Sequence, residues 1–206
     1  MSGDAAASIA VLQADMEDDV PTYRQRPRPF GPEVTWRLEP EHLYADSGLR
    51  NKRVPYGRIA AIRLTYAPTN ITSVAFKTAI RLDDGKTLTF GSLSWKTYFE
   101  VDRQDTAYRA FVTDLVARAG ATNPAVALIA GKARPIWLAA AAVGGVTAVT
   151  MAGAIGWAVS NGSWALAGLA TLFLVPFAWQ AWGMAVRNRP GTFRPDAVPQ
   201  ALLPKG

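Results

Sequence analysis

Apolar positions along the chain change their spacing twice. From Pro32 to Phe90 they alternate with polar ones: Val34, Trp36 and Leu38, then Leu43 and Ala45, then Ile62, Leu64 and Tyr66. Period two predicts strands with one buried face. Glu39-Pro40-Glu41 reads as a turn, Leu49 to Val54 as a basic turn leading into Val54-Pro-Tyr-Gly-Arg-Ile59, and Pro68 and Asn70 as strand breakers. The clearest hairpin starts at Val74. It puts Phe76, Thr78, Ile80 and Leu82 on one face, with Lys77 and Arg81 on the other, and returns through Asp83-Asp84-Gly85-Lys86 to Leu88 and Phe90. Asp-Gly supplies the positive φ that such a turn requires. Between Asp102 and Ala119 the period becomes 3.6, with Tyr108, Phe111, Val112, Leu115, Val116 and Ala119 on one stripe; Asp102 or Asp105 is placed to cap this helix and Gly120 to end it. Its stripe must be buried against the sheet or an end of its barrel.

The third regime has no period. Ile136 to Val186 contains no Lys, Arg, Asp, Glu or His, and divides at Asn161-Gly162-Ser163 into apolar blocks of 25 residues (136–160) and 23 residues (164–186). About 20 apolar residues span a hydrocarbon layer of roughly 30 Å, and in lipid only a helix satisfies its own backbone. The expectation is a transmembrane helical hairpin. Ala140, Gly144, Ala148, Ala152 and Gly156 recur every fourth residue along its first helix. Gly144, Ala148, Ala152 and Gly156 are therefore candidate helix-packing positions, either within the hairpin or between copies of it. Pro176 is placed to kink the second helix.

Charge adds an orientation. The net charge is +6, but residues 1–30 carry three Arg against five carboxylates, whereas residues 121–206 carry six basic residues against Asp196 alone. Lys132 and Arg134 precede the first apolar block, Arg187 and Arg189 follow the second, and the Asn161–Ser163 turn is uncharged. Short basic loops stay inside, so the expected location is the inner (plasma) membrane, crossed twice, with both termini cytoplasmic. The expected organisation is a disordered tail (1–30), a cytoplasmic domain (31–120), a linker (121–135), the two membrane helices (136–160 and 164–186) and a Pro-rich cytoplasmic tail (187–206). In that last segment Leu202-Leu203 either packs back on the domain or a partner, or stays free.

Strands followed by one amphipathic helix, with RVPYGRIAAIRL in the middle, the IRLDDGKTLTF hairpin and TAYRAFVTDLVARA at the end, resemble the bacterial pleckstrin-homology-like domains found attached to membrane helices. The resemblance covers roughly residues 32–119. It implies an α+β fold, a small antiparallel barrel or sheet closed by a C-terminal helix, with a binding or assembly role and no common enzymatic activity.

Candidate chemistry is sparse. His42 is the single histidine, beside Glu41 and Glu39, and there is no Cys; one His without Cys does not make a typical zinc site. No G-x-S-x-G, P-loop or G-x-G-x-x-G segment occurs, and Asp83-Asp84 sits in a turn where Asp is favoured for backbone reasons. No catalytic residue, metal or cofactor is expected, and the chain reads as a non-enzyme. Arg50, Lys52, Arg53 and Arg58 are the densest basic group of the domain. They are candidate lipid-binding residues, since cations near a bilayer gain from anionic headgroups; the plain alternative is a solvated turn. Expected partners are the bilayer, anionic headgroups, and membrane proteins or a second copy, but not nucleic acid. Two functions stay open: a membrane-anchored binding or scaffold protein acting through its cytoplasmic domain, or an accessory subunit of a membrane complex that uses the hairpin as its interface.

Overall fold

In the computed structural model, residues 20–68, 75–97 and 100–205 are described. The acidic run Glu17–Asp19, the strand break at Asn70 and the hairpin start at Val74 lie outside them. The architecture is α+β, and the fold divides into two units: one takes in the described parts of Met1–Ile62, Thr78–Ala127 and Pro204–Gly206, the other those of Arg63–Lys77 and Leu128–Leu203.

In the first unit β1 (Thr22–Gln25), β2 (Val34–Leu38), β3 (His42–Asp46) and β4 (Asn51–Pro55) form an antiparallel meander in that order. Tyr23 pairs with Trp36 and Trp36 with Ala45, so one face of three strands is apolar and buried. A 3₁₀ turn, Tyr56–Arg58, leads into β5 (Ile59–Tyr66), which neighbours β6 (Phe76–Leu82) and then β7 (Thr87–Gly91). β8 (Leu93–Trp95) and β9 (Val101–Arg103) pair separately, and α1 (Asp105–Thr122) follows. The α1 stripe is buried at the six positions that the 3.6 period predicts, Tyr108, Phe111, Val112, Leu115, Val116 and Ala119. Gly85, at φ +80°, makes the β6–β7 turn in the way Asp-Gly predicts.

The core is aromatic. Tyr23, 1% exposed, has its ring 5.6 to 6.0 Å from those of Phe90, Tyr108 and Phe111, and Trp36 lies 5.0 Å from Phe90. Its hydroxyl donates to the Gly91 carbonyl, and that of Tyr108 meets Thr78 Oγ1 at 2.7 Å. Burial pushes the ionisation of both phenols well above the ordinary range.

Several expectations need correction. Residues 20–30 are not a free tail: Tyr23 and Gln25 are buried, and Gln25 bonds Leu93 O and Gly91 N–H. The basic stretch 49–54 is not a turn but mostly strand β4, because Asp46, Ser47 and Gly48 make the turn one step earlier: Asp46 Oδ1 accepts from Gly48 N–H at 2.8 Å, and Ser47 Oγ bonds Arg50. α1 starts after Gln104 with no side-chain cap and runs through Gly120 to Thr122. It stops at Asn123, the residue before Pro124, whose side-chain amide donates to Ile59 O at 3.1 Å. Residues 121–135 are not simply a linker, since they hold the end of α1 and strand β10 (Ala127–Ala130). Among the described residues no closed barrel forms, because β5 has β6 on one side and β10 on the other, and so has no edge left for β4.

In the second unit the strand order is β11 (Gly191–Thr192), β10, β5, β6, and the helices α2 (Arg134–Ser160) and α3 (Trp164–Arg187) lie along the chain between β10 and β11. The expected Pro-rich tail is in part structured here: Gly191 and Thr192 pair with Ala130 and Ile129, Phe193 N–H donates to Leu128 O, and Leu202 and Leu203 are buried. Pro176 lies within α3, where its missing N–H leaves the Leu172 carbonyl without its helical partner.

Candidate functional site

The four basic candidates differ in their settings. Arg58, in the turn before β5, is held by Asp83: Nη2 donates to Oδ1 at 2.8 Å and Nε reaches both carboxylate oxygens at 3.1 Å, with Asp84 3.6 Å away. The Arg58 hydrogen bond holds the Asp83 carboxyl below its usual range, and the Lys86 ammonium does the same for Asp84. Lys52 and Arg53 are consecutive on β4, so the pleat turns them to opposite faces. Arg53 lies over the ring of Tyr44 at 5.7 Å, and Arg37 lies 5.9 Å from the same ring, a basic and aromatic row on the outer face of the meander. Arg50 belongs to the Ser47 turn. Lys52 and Arg53 also keep the exposed β4 edge charged, which discourages pairing with another strand.

His42 Nε2 pairs with Glu39 at 2.5 Å on a partly exposed corner. Among the described residues no cluster of His, Asp and Glu suits a metal ion. A shallow depression of about 350 Å³ lies beside β1 and the start of α1. Its Arg103 is paired with Asp105.

Chemistry of a different sort gathers in the hairpin and at its base. On α2 the covered positions are Trp137, Ala141, Gly144, Thr147, Ala148, Met151, Ile155 and Ala158, which apart from Thr147 alternate steps of four and three. On α3 they are Ala167, Ala170, Leu174, Ala178, Ala181 and Ala185, joined near the end of the helix by Gln180, Gly183 and Met184. These are seams of the left-handed, coiled-coil kind, filled mainly by small residues that let the backbones approach. Gly144 sits on the seam, its missing Cβ position 3.8 Å from Ala181 Cβ, and Ala148 is half-buried. Ala140, Ala152 and Gly156 are exposed, so within the hairpin only Gly144 and Ala148 of the every-fourth-residue row are covered. A step of four advances about 40° around a helix of 3.6 residues per turn, so a strict row winds off the contact face. Trp137 Nε1 donates across the seam to Ala185 O at 2.8 Å.

The α3 seam extends one step further, to Asn188, which is 1% exposed. Its side-chain amide pairs with Tyr66 as a neighbouring strand would: Oδ1 accepts from Tyr66 N–H at 3.0 Å and Nδ2 donates to Tyr66 O at 2.8 Å. Its carbonyl accepts from Lys132 N–H at 3.1 Å, and its own N–H goes to Met184 O. Gly131 N–H donates to Leu64 O at 2.8 Å while Arg63 Nη1 donates to Gly131 O at 3.0 Å. Gly131 has φ +70°, and a Cβ built on it would fall 2.5 Å from the Arg189 carbonyl. Only glycine fits both conditions. Arg187 covers the Tyr66 ring at 4.7 Å. Both ends of the hairpin are thus hydrogen-bonded to the Arg63–Tyr66 half of β5.

Sequence reading missed this junction. A lone Asn between two Arg gives no signal. Gly131 between an apolar strand and a charged helix start was the one legible hint, since glycine there marks close backbone approach.

No family model, curated protein or solved structure matches the chain.

Proposed function

We propose that this chain is a membrane-anchored, non-catalytic binding or scaffold protein that carries its β-rich domain, of pleckstrin-homology-like type, on a two-helix anchor at the inner face of the plasma membrane. One observation carries the reading. α2 and α3 meet through small residues and leave their large apolar side chains outward: Val149 is 74% exposed, Leu172 68% and Trp179 78%. Two helices of this length and composition can cross a bilayer, and an apolar surface of that extent needs a cover. With both ends of the hairpin bonded to β5, the anchor is built into the sheet rather than hung on a linker. The row of Arg37, Tyr44 and Arg53 is the domain surface best suited to an acidic protein partner.

The full-length protein should stay with membranes through alkaline carbonate washing, and release into the supernatant would defeat the reading. A cysteine placed at Ser163 should react with an impermeant thiol reagent in intact cells while one at Ser47 stays unlabelled; labelling at Ser47 would reverse the orientation.

The second reading, an accessory subunit using the hairpin as interface, draws on the exposure of Ala152 and Gly156 away from the seam. Partner proteins that co-purify in mild detergent separate the two. Loss of the partner on Arg37→Gln with Arg53→Gln supports the domain as the binding surface, and loss on Ala152→Leu with Gly156→Leu supports the hairpin.

A further inference from the structure

We infer that the base of the hairpin is a docking surface for anionic phospholipid headgroups, made by Lys132, Arg134, Arg187 and Arg189; this rests on the membrane-anchor reading. The hydrogen bond from Lys132 N–H to Asn188 O and the close passage of Gly131 against the Asn188 and Arg189 carbonyls bring the two ends of the hairpin together. Two pairs of cations, the outermost 57 residues apart in sequence, are thereby brought to the same end of the hairpin as one collar.

The collar differs from the basic group of the domain in its compensation. Arg58 is held by Asp83 and Asp84. Between Asp114 and Asp196 the sequence has no carboxylate at all, nor has the 63–77 stretch that the junction joins; Asp196 itself lies beside Arg194. An uncompensated cluster of this kind draws an anion.

Its level points to the source of that anion. The collar sits at the ends of the charge-free stretch Ile136–Val186, and Trp137 and Trp182 lie one turn or so further in, with Trp182 71% exposed. Tryptophan at the rim of an apolar span, followed by Lys and Arg, is the order in which a helix leaves hydrocarbon for headgroups. Arg187 is held near the sheet and still reaches solvent. Its guanidinium lies over the Tyr66 ring at 4.7 Å and the residue is exposed, and a guanidinium offers the bidentate donors that phosphate accepts. The anionic lipids of the inner leaflet supply phosphate at that depth.

The test uses the full-length protein purified in a non-ionic detergent and given equal amounts of phosphatidylglycerol and phosphatidylcholine with identical chains. Native mass spectrometry then counts the lipids retained. Wild type should retain phosphatidylglycerol severalfold over phosphatidylcholine. Arg134→Gln with Arg187→Gln should bring the ratio near one, Arg134→Lys with Arg187→Lys should preserve a preference, and Arg50→Gln, Lys52→Gln and Arg53→Gln together should leave it unchanged. Equal retention by wild type, an undiminished preference in the Gln pair, its loss in the Lys pair, or its loss in the triple variant would each overturn the collar. A wild type that remains soluble and monodisperse without detergent would overturn the membrane reading as well, whereas equal retention of both lipids would leave that reading standing.

Discussion

The aromatic core of the first unit and the hairpin of the second are held by opposite means. Around Tyr23 large rings are turned inward, and cohesion comes from apolar surface removed from water. In the hairpin the large apolar side chains point outward, and what lies between the helices is mostly Ala and Gly. There the hydrophobic effect works between helix and surroundings. Helix-to-helix cohesion falls to close packing and to polar bonds: Trp137 to Ala185 O within the seam, and Asn188 to Tyr66 at its base. Substitutions that remove volume should therefore hurt the first region most. The second should be most sensitive to lost amides and to added volume.

The largest expected effect is in the core. Tyr23→Ala empties a position bordered by Phe90, Tyr108 and Phe111, and should destabilise the first unit by about 3–5 kcal/mol, the range for truncating a buried aromatic. Tyr23→Phe, which keeps the ring and loses the bond to Gly91 O, should cost about 1 kcal/mol. Denaturant unfolding followed by hydrogen exchange at the α1 amides measures both. A Tyr23→Ala protein as stable as wild type would show that the strand at 22–25 contributes nothing to the core. For the same reason a fragment beginning at residue 30 should fold poorly.

Next in size is the junction. Asn188→Ala leaves the Tyr66 N–H and carbonyl without partners, a loss of about 2 kcal/mol on the scale of orphaned buried groups. Asn188→Asp should do little better, because a carboxylate accepts from the N–H but has nothing to donate to the carbonyl. The readout is exchange at the Tyr66, Gly131 and Lys132 amides, which should quicken while α1 stays protected. Uniform quickening in both units would contradict the separation of the two regions drawn above.

Smaller again is the effect of added volume in the hairpin. Ala148→Leu on the seam should destabilise it by about 1–3 kcal/mol through overpacking, whereas Ala152→Leu, off the seam, should stay within about 0.5 kcal/mol. Thermal unfolding of the two variants in one detergent measures the difference. Equal effects would favour the every-fourth-residue stripe.

These outcomes bear on what could be read from the chain before its structure. Periodicity found the α1 stripe residue by residue, and the absence of charge found both long helices to within two residues, because those signals are local and repeated. Strand β1 was missed because a four-residue strand among Arg and Pro has too few positions to show a period, and its burial at Tyr23 is decided by partners more than 60 residues away. Barrel closure failed on a competition for the β5 edge that no local pattern records. The basic group looked uniform because consecutive cations are close in sequence; pleating and the Asp83 pair give them different settings. Asn188 was illegible since its role depends on one backbone segment 122 residues distant.

The smallest expected effect concerns pH, and it tests the comparison without touching the sequence. Asp83 and Asp84 both titrate below the ordinary carboxylate range, held there by Arg58 and Lys86 respectively. A carboxylate whose pKa is lower folded than unfolded adds stability that is fully present above the unfolded value, near 3.8, and is lost as pH falls through the folded one. The β6–β7 turn should therefore loosen only in acid below about pH 4. The change should be modest and should shrink in high salt, because both carboxylates are exposed to solvent. The junction residues include no carboxylate, so protection of the Tyr66 amide, corrected for intrinsic exchange, should stay flat over the same range. Carboxyl carbon shifts followed by NMR should place the Asp83 midpoint below the unfolded value in wild type and return it toward that value in Arg58→Gln. A midpoint unmoved by that substitution would mean that the Arg58 pair does not set the titration, and acid loosening of the Tyr66 amide in step with the turn would mean that the two regions do not respond separately.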